Sequence, residues 1–299
     1  MKRFVAIAVL LALPLAAAPA PAKKKDLDQV GGRKVASGLN FYSLQRELAL
    51  GKQLSEEIRK QARLVEDPLV TEYINRVGQN LARNSDVTFP VTFNMIESDE
   101  IGAFTLPGGF IYINTATLKI SDNEAELASV IAHELGHAAA RHATRQASKE
   151  KILNISSIPL SIFGGLGGAA LRQLGAPLAF FHFSRAFETE ADFLGIQYLW
   201  KAGYDPEASV NMFERVEATE RKRPGAVSQL FRTHPMTSER IAKTQRDIGQ
   251  VLPDRPEYVL NTSEYEDIRV RLNELLEAQK AKDANLPQAP TLRRPGEIE

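Results

Sequence analysis

The stretch Ile131-Ala132-His133-Glu134-Leu135-Gly136-His137 decides how the rest of the chain is read. On a helix, side chains four apart stand one above the other on the same face. His133 and His137 so placed can bind one Zn²⁺, with Glu134 beside them as a general base. The same letters can fall on a surface helix by accident. Against that, the chain has only 5 His, and the flanking Ala128, Val130, Ile131, Ala132, Leu135, Ala138, Ala139 and Ala140 are apolar. Two imidazoles and a carboxylate in apolar surroundings need partners to be tolerated there. Upstream, Ser121-Asp122-Asn123-Glu124 has the spacing of a capping box with Ser121 as the cap. The run from Asp122 to about Ser148 has no Pro and only Gly136 as a weak spot, which predicts one helix throughout.

A catalytic zinc takes three protein ligands and keeps one position open. The third ligand is expected from a separate element crossing this helix. His142, five residues past His137, turns off the ligand face, whereas His182 and His234 fit by type. Glu188 is the better candidate. It lies about one turn into a helix that Ser184 can cap, and Asp192 follows on the same face. Asp192 there can accept the outer N–H of a ligating histidine. The competing reading is a solvated acidic face, but Ala186, Phe187, Ala191 and Phe193 make the setting apolar.

The 299 residues are 43% hydrophobic and 25% charged, with 37 Lys+Arg against 37 Asp+Glu. Zero net charge gives no argument for a nucleic-acid partner. The absence of Cys removes disulfides and thiolate-bound metals from consideration. Lys2-Arg3, the apolar run 4–18 and Ala20-Pro21-Ala22 read as a secretory signal over 1–22, cleaved near Ala22. An uncleaved anchor is the rival, but the run is short for a span of about 20 residues. The mature chain is therefore expected in the periplasm or outside. Residues 23–40 read as a flexible lead, 41–284 as the catalytic domain and 285–299 as a disordered tail.

Apolar periodicity predicts a helix over 43–64, and Asp67-Pro68 is an N-cap followed by proline, opening a second helix to about residue 83. The pattern over 87–98 alternates, as do 103–106 and 110–114, which predicts strands. Pro107, Gly108, Gly109 and Phe110 suggest an edge or bulge able to pair with an extended peptide. A plain hairpin turn is the alternative. The segment 152–183 is uncharged to Leu171 and carries Gly164, Gly165, Gly167 and Gly168. It reads as an apolar lid or as a peripheral membrane contact. Further helices are expected over 184–203, from Asp205-Pro206 to about 219, and over 238–251 and 263–281, with Thr233-His234-Pro235 in a loop.

These motifs resemble the HtpX- and BepA-like zinc metallopeptidases, which include the CAAX prenyl proteases and the mitochondrial OMA proteases. The resemblance covers about 41–272. It rests on His133-Glu134-Leu135-Gly136-His137 with Arg141-His142, and on Ser184-Arg185 with Glu188-Thr189-Glu190-Ala191-Asp192. It also rests on Ala103-Phe104 with Pro107-Gly108-Gly109-Phe110, and on Thr233-His234-Pro235 with Glu239-Arg240-Ile241. The resemblance implies Glu188 rather than Glu190 as third zinc ligand, and a proton-donor role for Asp192. It implies that His234 fills the fourth metal position and holds the enzyme off. By chemistry alone, His234 can instead stabilise an oxyanion. The resemblance implies polypeptide substrates, unfolded or membrane-associated.

The fold expected is α+β: a mostly helical, zincin-like domain with a small sheet whose edge strand flanks the active-site helix. The function expected is zinc-dependent endopeptidase, with one Zn²⁺ per chain. His and carboxylate also suit iron or manganese. A chaperone with a metal-stabilised fold, using 152–183 as its client surface, is the second class. A closed structural zinc site is the third, and it leaves Glu134 without a purpose.

Overall fold

The structure, a computed structural model, describes residues 27–153, 183–222, 234 and 238–284. The expected signal over 1–22, most of the apolar segment including His182, and the tail over 285–299 lie outside the described residues. No helix among the described residues is long and apolar enough to cross a membrane.

The fold is α+β and is built around one helix, α4 (Glu124–Ala139), all of whose residues are buried. Before it come α1 (Leu44–Gln61), α2 (Pro68–Arg83), three strands and a short α3 (Thr115–Ile120). After it come α5 (His142–Leu153), α6 (Arg185–Ala202), α7 (Ala208–Lys222), α8 (Ser238–Val251) and α9 (Ser263–Ala284). The caps explain several of these bounds. Ser43 accepts from the Arg46 N–H, and Asp67 from the Val70 N–H with Pro68 at the first helical position. Gly203 closes α6 at φ 92°, a left-handed conformation that costs glycine nothing. Asp205 begins a turn instead of a helix: its Oδ1 takes the Glu207 N–H at 2.9 Å, and α7 starts later, at Ala208.

The helix expected over 122–148 differs from the structure in two ways. Its start is two residues later. Asn123, not Ser121, is the N-cap and accepts from the Glu126 N–H. Glu126 reaches back to the Asp122 N–H at 2.9 Å. The sequence carries the cap spacing twice, Ser121–Glu124 and Asn123–Glu126, and Ser121 is already engaged with the Thr117 carbonyl at the end of α3. The run is also broken. Arg141 adopts φ 54° and separates α4 from α5, at a cost of about 1–2 kcal/mol for a residue with a side chain. Arg141 is held there by Glu47 Oε2, which accepts from its Nε at 2.7 Å, and by the Tyr42 carbonyl at 2.8 Å.

The sheet has strand order β1-β3-β2, with β1 (Thr92–Ile96), β2 (Ala103–Leu106) and β3 (Phe110–Asn114). β1 runs parallel to β3, and β2 pairs antiparallel with it. The strand expected over 87–98 is shorter, beginning after Pro90, which has no N–H to give the ladder. β2 is an edge strand and lies against α4. Thr105 Oγ1 on β2 stands 3.0 Å from the Glu134 carbonyl oxygen.

The stretch Pro107–Phe110, expected as a peptide-pairing edge or a plain hairpin turn, joins β2 to β3. Gly108 and Gly109 have φ 78° and 82°, so the stretch is the hairpin turn. The turn is packed beneath α1: a Cβ on Gly51 meets the Pro107 carbonyl oxygen at 1.7 Å, and the Gly108 N–H donates to Glu47 Oε1 at 3.3 Å. The lead expected as flexible over 23–40 is mostly exposed over its described part, 27–40, with local anchors on the body. Leu27 and Val30 are buried, and Asp86 accepts from the Gly31 N–H and Arg33 Nε, both at 2.8 Å.

α6 crosses α4 at close range because glycine stands at two contacts. A Cβ on Gly136 meets the Ala191 carbonyl oxygen at 2.8 Å, and one on Gly195 meets the His133 backbone nitrogen at 3.2 Å. What reads in sequence as a weak spot in a helix is where the second helix approaches. The obstruction at Gly136 is backbone, so Gly136→Ala is expected to cost about 1–3 kcal/mol. A thermal melt checks this, with a midpoint several degrees below wild type expected.

Candidate metal centre and active site

The crossing of α4 and α6 brings buried nitrogen and oxygen atoms to one point. Ligand atoms of His133, His137, Glu188 and His234 all lie within 4.8 Å of one another, and all four residues are buried. His133 Nε2 is 3.0 Å from His137 Nε2 and 3.3 Å from His234 Nδ1. Glu188 Oε1 is 3.0 Å from His234 Nδ1 and 3.6 Å from His137 Nε2, and Oε2 is 3.5 Å from His133 Nε2. A tetrahedral zinc with bonds of about 2.0–2.1 Å has ligand–ligand edges of about 3.3–3.4 Å. The observed separations bracket that value. Three imidazoles and a carboxylate converging at such distances suit a divalent cation better than they suit one another as hydrogen-bond partners.

Glu134 is beside this set without belonging to it. Its Oε2 accepts from Thr105 Oγ1 at 2.7 Å. Its Oε1 is buried, has no hydrogen-bond partner among the described residues, and lies 3.4 Å from His234 Nε2. A buried carboxylate oxygen left bare beside a metal-binding set is placed to receive a proton from a water held there. Phe183 stacks on the His137 ring at 4.0 Å between centroids and closes one side of the site.

Asp192, one turn after Glu188, faces His133 Nδ1 with Oδ1 at 3.0 Å. Arg240 in the first turn of α8 donates to both Asp192 oxygens, at 2.7 and 2.8 Å. It also stands 3.0 Å from Glu188 Oε2 and donates to the His234 carbonyl at 3.4 Å. One guanidinium thus touches two carboxylates and the His234 backbone. The sequence reading gave no role to Thr105 or Arg240. The signal for Arg240 was its place in the Glu239-Arg240-Ile241 stretch that carries part of the resemblance.

The electrostatics follow from this packing. Burial opposes charge on Asp192, but the Arg240 guanidinium outweighs it and holds the carboxyl below its usual range. Burial likewise opposes charge on Glu188, yet His234 and His137 hold it well below the carboxylate range. Burial works against protonating His133, but Asp192 and Glu188 prevail and raise it to about 9. Both carboxylates therefore remain ionised at neutral pH, as metal ligation and its support require. Replacing Asp192 with Asn is expected to weaken zinc binding about 10–100-fold while the ion still binds. Titration against a competing chelator measures this.

The family model for peptidase family M48 matches residues 68–247. The chain belongs to peptidase family M48. The matched span contains all four converging residues, Glu134, Asp192 and Arg240. The beta-barrel assembly-enhancing protease of Escherichia coli (strain K12) is 33% identical over 228 residues, covering 71% of this chain and 45% of that protein. Its counterpart in Yersinia pestis is 32% identical over 222 residues, 71% of this chain and 46% of that protein. The mitochondrial metalloendopeptidase OMA1 of Schizosaccharomyces pombe is 32% identical over 184 residues, 58% of this chain and 52% of that protein. The chain spans about half the length of the curated relatives it matches.

Proposed function

We propose that the chain is a zinc-dependent endopeptidase that cleaves unfolded or misassembled proteins of the bacterial envelope. The observation that carries the reading is the convergence of His133, His137 and Glu188 with the bare Oε1 of Glu134 beside them. These three residues hold the zinc, as the donor set and separations suit that ion. When bound, zinc would supply Lewis acidity for the scissile carbonyl and for water, whose pKa it would lower to about 7. Glu134, fixed by Thr105 through Oε2, takes the proton of the attacking water on Oε1 and passes it to the leaving amine. Asp192 holds the His133 ring, and Arg240 holds Asp192 and Glu188. An extended substrate lies along β2, an edge strand of the sheet that packs against α4.

His234 acts as a fourth ligand that keeps the site closed. Its Nδ1 stands among the ligand atoms and its Nε2 faces the oxygen that the base must use. It therefore stands both among the atoms that would hold the metal and against the base, and cleavage requires it to leave.

The envelope substrate class draws on the beta-barrel assembly-enhancing proteases among the relatives. Export to the periplasm or beyond draws on the basic and apolar stretch over 1–22. The chaperone alternative rests on 152–183, most of which lies outside the described residues. Zinc content and cleavage of casein by the purified chain test the proposal. Cleavage lost with a chelator and restored by zinc is expected. Cleavage indifferent to the chelator overturns it.

A further inference from the structure

The two ligand histidines of α4 are backed in different ways. His133 turns its outer nitrogen to a carboxylate, Asp192. His137 turns its Nδ1 to another imidazole, His142 Nδ1, at 3.0 Å. A ligating histidine ordinarily gives its outer N–H to a carboxylate, a backbone carbonyl or a water. An imidazole in that place has only one bare nitrogen to accept with, so its own tautomer is dictated.

The protons can be followed outward. His137, presenting Nε2 to the ligand cluster, carries its proton on Nδ1 and donates it. His142 Nδ1 is then the accepting nitrogen, and the His142 proton is on Nε2. That nitrogen faces Glu190 Oε2 at 3.0 Å, which accepts. Arg145 Nη1 reaches the same oxygen at 3.2 Å and closes the outer end. One assignment of protons satisfies every link.

The backbone is shaped to allow this. On an uninterrupted helix, residue 142 points about 140° away from His137. The left-handed Arg141 breaks the helix and turns His142 back towards His137. His142 is fully buried, and its ring stacks on Phe187 at 4.4 Å and 15°. α6 supplies Glu188 to the cluster and, two residues on, Glu190 to the far side of His137.

We propose that His142 and Glu190 are positioning residues of the zinc centre, a carboxylate–imidazole relay that holds His137 in its Nδ1–H tautomer with Nε2 aimed at the metal. The relay rests on the zinc-peptidase reading above and deepens it. Neither residue touches the ion or the substrate. Both act through His137.

Two variants separate this from simple packing. His142→Phe keeps a ring on Phe187 and removes the acceptor. His142→Asn gives up the ring but keeps an acceptor, Oδ1, close to where Nδ1 stood. Zn²⁺ affinity of the full chain, measured by chelator competition, is expected to fall about 10–100-fold in the Phe variant and to recover most of that loss in the Asn variant. The opposite order, or a Phe variant equal to wild type, overturns the relay. Nitrogen–proton correlation spectra of the zinc-loaded wild type ask the same question without a variant. His137 protonated on Nδ1 and His142 on Nε2 is expected, and His142 protonated on Nδ1 overturns the relay. Wild type that takes up no zinc overturns the peptidase reading itself, which is a separate result.

Discussion

Glu134→Gln is expected to lower kcat for peptide cleavage by about 10²–10⁴-fold, the range lost when a positioned general base is removed, with the metal retained. The substitution is nearly isosteric. A glutamine oxygen can still accept from Thr105 Oγ1, which now bonds Glu134 Oε2. The amide nitrogen then occupies the position of Oε1, where it can no longer take a proton from water. Glu134 is not among the converging ligand atoms, so zinc content is expected to stay at the wild-type value. Zinc by atomic emission and steady-state cleavage of casein, on both proteins, check the two halves separately. Cleavage at the wild-type rate contradicts the role given to Glu134. Loss of both zinc and cleavage makes it a structural residue.

His234→Ala carries the other large effect. Removing the ring vacates one corner of the converging set and frees Glu134 Oε1 from the nitrogen 3.4 Å away. If His234 is the closing ligand, only the fraction of molecules with His234 displaced is competent, and apparent activity is reduced by that fraction. The variant is then expected to cleave casein at least about tenfold faster, equivalent to about 1.4 kcal/mol of released inhibition. Its zinc binds more weakly for want of one donor. A fall in cleavage with zinc retained instead assigns His234 to oxyanion stabilisation.

What the sequence told about this molecule was what neighbours in the chain decide. Asp67-Pro68 and Gly203 mark helix ends through local hydrogen bonds and φ preferences, and α2 begins and α6 ends at them, whereas Ser184 stands at the N-cap of α6 without a side-chain hydrogen bond. The ligand spacing of His133 and His137 is likewise local, and the capped helix carrying Glu188 and Asp192 brings those carboxylates to it. What was hidden depends on distant partners. The break at Arg141 has no Gly or Pro to announce it, because it is held by Glu47 on α1, 94 residues away. The Pro107–Phe110 turn looks like an exposed edge until α1 covers it at Gly51. Thr105 and Arg240 reach the site from a strand and a helix with no sequence periodicity in common with α4. His142 reads correctly as off the ligand face of a continuous helix, yet the break returns it to the back of His137.

X-ray absorption at the zinc edge of the purified, zinc-loaded chain addresses the centre most directly. One zinc per chain, with three imidazole nitrogens and carboxylate oxygen at about 2.0–2.1 Å, is the result predicted for His133, His137, His234 and Glu188. A zinc shell with fewer than two imidazoles, or a chain that holds no stoichiometric metal, contradicts the account.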